Sequence, residues 1–376
     1  MKKIISAFFV LLFVLSMCTN VLAQDSAELQ QEFLKSTAEQ LNSVDLGDFD
    51  FLETAQKVSE GTWWLNPKEV LERLADLFFS EFKSNLSSVI KIVIVAVLTG
   101  VLCNLQGAFN KEGVKTISFL ACFVVISNFA VNILAQIINI AIDTIDRLNL
   151  FMQGLIPVLS AVVAAGGTMM GQALSPSLFL CMQLITNLAR GVFLPMILLI
   201  TALSVVNNIS GRFHITRLID FARQLLKWST GILLTVFIGL LGIQGFSFAF
   251  AGGVAGKTVK YAICNFIPIV GAVLSDSIEA VCASTLIVKN AVGITGALAL
   301  VSICAMPLIK LLTLSLMYRL AAGISEPVTD KRIVNLLSDL AGNITQTFVI
   351  LLMVCVMFII SVAMLCAVTN IPVMMK

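Results

Sequence analysis

From residue 88 onward the chain is a succession of apolar runs, at roughly 88–106, 117–142, 150–174, 177–207, 228–250, 262–287, 288–318 and 345–369. About 20 apolar residues in a helix cross the hydrocarbon core of a bilayer, and in lipid each backbone N–H and C=O must find its partner within the protein. Eight such runs point to an all-α, polytopic membrane protein. Composition agrees: 58% of the residues are hydrophobic and 12% charged, against roughly 45–50% and 25% in soluble domains.

Two regions precede this body. The opening MKKIISAFFVLLFVLSMCTNVLAQ has Lys2 and Lys3, a short apolar run, and Val21-Leu22-Ala23 before Gln24, the layout of a secretory signal peptide cleaved after Ala23. Met17 is too large for the position before a lipidated cysteine at Cys18; an uncleaved anchor is the alternative. Residues 24–87 hold 13 Asp/Glu and 5 Lys/Arg, whereas 88–376 hold 9 and 17. The net charge of +2 therefore hides an acidic, extracytoplasmic helical segment ahead of a basic body. Within it PKEVLERLADLFFSEF places Val70, Leu71, Leu74, Leu77, Phe78 and Phe82 at helical spacing, with Pro67 as an early helix residue. This reads as an amphipathic helix entering the membrane, with Trp63 and Trp64 at the interface; a helix in a small soluble core fits the same pattern.

The domain organisation expected is a signal peptide (1–23), the acidic segment (24–87) and the membrane domain (88–376), the last with an internal repeat. GLIPVLSAV (Gly154 to Val162) resembles NFIPIVGAV (Asn265 to Val273), and LPMILLITALS (Leu194 to Ser204) resembles MPLIKLLTLSL (Met306 to Leu316). Pro157 and Pro268 are 111 residues apart, Pro195 and Pro307 112. Repeat units of about 117–207 and 228–318, with a final helix at 345–369, follow from these offsets. A charged helical stretch also recurs, TRLIDFARQLLKW before the run at 228 and KRIVNLLSDLAGN before the run at 345.

Charge then decides the topology. With residue 24 outside and every run crossing, the loop Asn208 to Lys227, carrying Arg212, Arg217, Arg223 and Lys227, would fall outside, against the positive-inside rule. If the two I-P segments, 150–174 and 262–287, enter and leave on one face as broken, re-entrant hairpins, this loop lies in the cytoplasm with Lys111, Lys115, Arg319, Lys331 and Arg332. About six spanning helices plus two broken segments is the better reading, although it leaves Lys257 and Lys260 outside; eight full spans is the alternative.

Chemistry-bearing motifs are few. AGGVAGKTVK (Ala251 to Lys260) ends in G-K-T, but Ala251 stands where a Walker A motif needs glycine, and the stretch follows a spanning run rather than a buried strand. Gly252, Gly253 and Gly256 read as a loop at a helix end, and no nucleotide cofactor is expected. Eight cysteines lie in apolar runs without a C-x-x-C pair, and His214 is the only histidine, so packing thiols rather than a metal or disulfide framework are indicated. No serine–histidine pairing or H-E-x-x-H is present, and nothing points to catalysis or to nucleic acid.

The I-P segments carry what remains. The first holds Pro157, Gly166, Gly167 and Gly171, the second Asn265, Pro268, Gly271, Asp276 and Glu279; their prolines and glycines free backbone polar groups that lipid tolerates only against protein or water. Paired broken segments point to a transport pathway; tight packing of kinked helices selects the same small residues. Asp276 and Glu279 share a helix face, and Arg190 is their most natural counter-charge. They would serve as a structural ion pair or, in a secondary transporter, as ion-coupling groups. TRLIDFARQLLKW gathers Leu218, Ile219, Ala222, Leu225 and Leu226 on one side, an interfacial helix whose Arg217, Arg223 and Lys227 meet anionic lipid; a docking site for a cytoplasmic partner would look the same.

GKTVKYAICNFIPIVGAVLSDSIEAV (Gly256 to Val281), GLIPVLSAVVAAGG, the secretory start and the acidic segment together resemble the stage III sporulation protein AE family of endospore-forming Firmicutes. The resemblance implies a multi-pass protein of the mother-cell membrane around the engulfed forespore. It implies a place within a channel or secretion-like complex that sustains late forespore gene expression. Partners implied are other stage III sporulation membrane proteins and a separate cytoplasmic ATPase; several copies could assemble. The family supplies no catalytic residue.

The topology is testable directly. A single cysteine placed in the 208–227 loop of an otherwise cysteine-free chain should resist a membrane-impermeant maleimide in intact cells and react after permeabilisation. Labelling from outside would restore the eight-span arrangement.

Overall fold

The structure, a computed structural model, describes residues 34–39, 49–59, 67–107, 112–165, 170–209, 215–266 and 271–368. The signal peptide, Trp63, Trp64, Gly166, Gly167, Arg212 and Pro268 lie outside the described residues. Helices α1 (34–39) and α2 (Phe51–Ser59) lead into α3 (Pro67–Gly107) and α4 (Glu112–Ala165). Next, α5 (Met170–Leu188) continues through a π-helical turn (Ala189–Phe193) into α6 (Leu194–Ile209), followed by α7 (Thr216–Phe266), α8 (Gly271–Ser325) and α9 (Lys331–Val368). Among the described residues six helical passages are long and apolar enough to cross a membrane: one each in α3, α4, α7, α8 and α9, and one shared by α5 and α6. The chain is all-α among the described residues.

Local chemistry explains where helices begin. Asp50 caps α2, its carboxylate accepting the Glu53 amide at 3.0 Å; Asp330 caps α9, accepting the Arg332 amide at 2.9 Å. Pro67 opens α3, where its missing N–H costs nothing. The stripe that follows is open at its start, where Leu71 and Leu74 are 69% and 42% exposed, and packs against the core at Phe82. α3 runs on without a break into the first passage long and apolar enough to cross a membrane. α2 buries Phe51 and Ala55 in packing against α8.

Three details differ from the sequence reading. Residues 117–142 and 150–165 form one continuous helix, α4, through Asp143, Asp146 and Arg147. Charged side chains do not end a helix whose backbone is internally bonded, so a break in hydropathy here is not a break in structure. α8 likewise joins residues 271–287 to 288–318. AGGVAGKTVK is not a loop but part of α7, which leaves its amides engaged in i→i−4 bonds. The ends of the helices fall inside the two I-P segments: α4 stops at Ala165 and α5 starts at Met170; α7 stops at Phe266 and α8 starts at Gly271.

Length is the consequence of that continuity. At 1.5 Å per residue the 54 residues of α4 and 55 of α8 run about 80 Å each, against about 30 Å of hydrocarbon. Pro157 lies within α4 and Pro307 within α8. Pro195 has the π turn before it, Ala189–Phe193; a widened turn relieves the clash between a proline ring and the carbonyl four residues back, here Gly191.

α9 is the axis of the bundle. It packs most extensively on α8 and also meets α4, α5, α6 and α7, and more than half of its apolar stretch is buried, the largest share of any passage. Close approach depends on small residues elsewhere. A Cβ on Gly100 of α3 would run into the Val328 carbonyl and sit 2.9 Å from Thr329 Cα, while the Thr329 hydroxyl donates to the Ala96 carbonyl at 3.0 Å. A Cβ on Gly296 would sit 2.7 Å from Leu155 Cδ2. The Arg332 guanidinium lies 5.2 Å from the Phe119 ring centre. These contacts bring the start of α4, the α8–α9 turn and the last turns of α3 to one end of the bundle, where Lys331 and Arg332 also lie.

Gly100→Leu should therefore destabilise the protein by at least about 1–3 kcal/mol, the usual cost of overpacking, since the obstruction is backbone. Gly239→Ala, with nothing within 4 Å of a Cβ, should be neutral or stabilising by up to about 1 kcal/mol. Thermal unfolding of the purified chain in detergent compares them; equal melting points for Gly100→Leu and wild type would contradict the contact.

Candidate functional site

At the same end of the bundle, α6, α7, α8 and α9 enclose a polar cavity of about 350 Å³. Its hub is Arg223. The guanidinium meets Asp339 Oδ1 at 2.8 Å, donates to Ser204 Oγ at 3.2 Å, and lies 3.9 Å from Asp220 one turn back. Arg223 belongs to TRLIDFARQLLKW and Asp339 to KRIVNLLSDLAGN, so the two recurring charged stretches meet here. Arg223 and Asp339 are only 26% and 25% exposed, which puts the pair between a screened surface ion pair and a buried one.

Neutral hydrogen bonds tie the other walls together. Asn343 Nδ2 donates to Thr201 Oγ1 at 2.7 Å, with both residues buried. The Ser315 and Thr345 hydroxyls are 2.6 Å apart, and Arg319 donates to Thr345 Oγ1 at 3.1 Å. Arg223, Lys227 and Arg319 line the cavity against Asp339 as its acidic group. The recess is thus positive and rich in hydrogen-bond donors, fit to hold an anion.

A second polar seam joins α4 to α5 and the π turn. Arg190 pairs with Asp146 at 2.7 Å, and Asn149 and Gln183 exchange hydrogen bonds at 3.0 and 3.4 Å. Arg190 is 19 residues from the end of α6 at Ile209, about 28 Å along a helix, close to the thickness of the hydrocarbon core. A third contact lies at the far end of α9, where Lys289, 2% exposed, donates from Nζ to the Cys366 carbonyl at 2.8 Å, one of the carbonyls a helix C-terminus leaves without an internal partner.

The residues singled out in the sequence divide accordingly. Arg223 and Lys227 come together in the cavity; Arg217 is exposed on the outer face of α7, and Arg212 lies outside the described residues. Arg190 pairs with Asp146, which antiparallel packing of α4 and α5 brings alongside it; the expected pairing with Asp276 or Glu279 falls on side chains outside the described residues. The side chains of Asn265, Asp276 and Glu279 lie outside the described residues, as do Gly166, Gly167 and Pro268. Pro157 is an exposed residue of α4 whose carbonyl accepts the Ser160 hydroxyl at 2.8 Å. Sequence reading missed Asp339, Arg319, Asn343, Gln183 and Lys289. Asp146 had a usable signal: together with Asp143 and Arg147 it forms a charged i, i+3, i+4 group on one helix.

Comparison with known proteins gives a concordant result. A family model described as stage III sporulation protein AE matches residues 49–369. A stage III sporulation protein AE of Bacillus subtilis (strain 168) is 28% identical over 368 residues, covering 94% of this chain and 92% of that protein. No solved structure matches.

The two ion pairs should differ in weight. Asp339→Asn or Arg223→Gln is expected to lower stability by about 1–2 kcal/mol, since a hydrogen bond to a charged group is removed from a partly buried site. Asp146→Asn should cost below about 1 kcal/mol, because Asp146 and Arg190 are 40% and 54% exposed. A double-mutant cycle read by thermal unfolding decides; additive effects of Arg223→Gln and Asp339→Asn would show that the pair is not coupled.

Proposed function

Because the chain belongs to the stage III sporulation protein AE family, matched across residues 49–369, we propose that it acts in sporulation as a non-enzymatic membrane subunit of a channel or secretion-like complex. The complex would join mother cell and forespore after engulfment, with this chain in the mother-cell membrane that surrounds the forespore. The chain is a multi-pass membrane protein of a sporulation family, and the breadth of that match is the observation that carries the reading. Its companions are other stage III sporulation membrane proteins and a separate cytoplasmic ATPase, a division of labour that suits a G-K-T held within a helix.

Helix length supports a subunit rather than a self-contained carrier. α4 and α8 outrun the hydrocarbon core by about 50 Å, and with the basic end in the cytoplasm the surplus extends on the forespore-facing side. The ends of α4 and α8 on that side, Ala165 and Gly271, would there meet partner subunits and the pathway.

Deletion of the gene in its host tests the proposal. Development should stop after engulfment with late forespore gene expression lost, and the wild-type gene should restore it. Rescue by Arg190→Ala, Asp276→Asn and Glu279→Gln then ranks the pathway residues. Normal spores from the deletion strain would overturn the reading. So would ion-coupled uptake by the protein alone in liposomes, abolished in Asp276→Asn, which would make it a secondary transporter.

A further inference from the structure

We propose that the polar cavity at the basic end and an apolar groove beside it form one site for an anionic phospholipid, with the phosphate in the cavity and an acyl chain in the groove. The groove, about 480 Å³, runs between α7 and α9 and is lined by Gly231, Leu234, Val349, Leu352, Met353 and Val356. Lys227 and Gln346 border both spaces, so the polar recess continues into the groove. From Gln346 the wall proceeds through Val349 and Met353 to Val356, about 15 Å of helix. A ligand filling both spaces has a charged end and an extended apolar end.

Charge sets the sign of the head. Asp339 is engaged by Arg223, whereas Lys227 and Arg319 line the cavity with no ion-pair partner among the described residues. Gln346 Nε2 is buried without a hydrogen-bond partner, an amide donor that a phosphate oxygen would satisfy. A basic pocket between membrane helices at the cytoplasmic level suits an anionic lipid head, and the cavity's Arg223, Arg319 and Asp339 lie about two turns from the start of α7, the end of α8 and the start of α9. A free phosphate would match the cations but leave the groove unfilled. The groove is what selects the lipid.

The test uses the purified full chain, delipidated in detergent. Binding of phosphatidylglycerol and of phosphatidylcholine with identical chains is measured by mass spectrometry of the intact complex, with inorganic phosphate as competitor. Phosphatidylglycerol should bind preferentially and resist excess phosphate. Lys227→Gln and Arg319→Gln, which leave the Arg223–Asp339 pair in place, should each weaken it on the order of fivefold, and Lys227→Arg should keep it. Gly231→Phe should remove binding by filling the groove, since nothing lies within 4 Å of a Cβ there; thermal unfolding of each variant checks that the fold persists. If Arg319→Gln fails to fold, Lys227→Gln and Gly231→Phe still decide. Equal binding of the two lipids, displacement by inorganic phosphate, or unchanged binding in Lys227→Gln or in Gly231→Phe would overturn the proposal.

Discussion

Apolar faces gain nothing by turning from lipid tails to protein, so helices in a bilayer are held by close packing and by polar contacts. α9 is where that constraint is met. Its basic half is fixed in register to four neighbours by directional contacts: to α8 through Ser315 and Thr345, to α6 through Thr201 and Asn343, to α7 through Arg223 and Asp339, and to α4 through Phe119 and Arg332. Leucine and isoleucine fill the spaces between, and they would pack nearly as well one turn out of register. At the other end Lys289 closes the helix by satisfying the Cys366 carbonyl, where a cation also suits the helix dipole.

The number of spans was legible because it depends on a length, and length is written in the sequence. Helix ends fall within both I-P segments, since proline and glycine act on the backbone locally, although most of the first continues α4 and most of the second continues α8. Less legible was the continuity of α4, because Asp143, Asp146 and Arg147 look like a loop to any reading based on hydropathy. Least legible were the partners. Arg190 and Asp146 are 44 residues apart and Arg223 and Asp339 116 apart, and only the antiparallel order of the helices brings them together. Asp146 was passed over as a partner for Arg190 because hydropathy placed it in a loop, and proximity across a bundle does not follow from proximity in hydropathy.

The two polar seams serve different ends. Between α4 and α5 the partners match one for one, acid to base and amide to amide, which specifies register and leaves no charge over. At the basic end the match is uneven: three cations face the cavity with one carboxylate. The two cations left over, Lys227 and Arg319, are exposed, so the inequality between the seams separates a joint from a recess.

The continuity of α4 and α8 also has a mechanical meaning. A helix anchored at one leaflet and reaching about 80 Å is a lever with its short arm in the membrane. A tilt of about 5° at the anchored end displaces the far end by about 7 Å over that length, more than one helical pitch. Motion too small to disturb packing around α9 would thus be magnified at a distance from the bilayer.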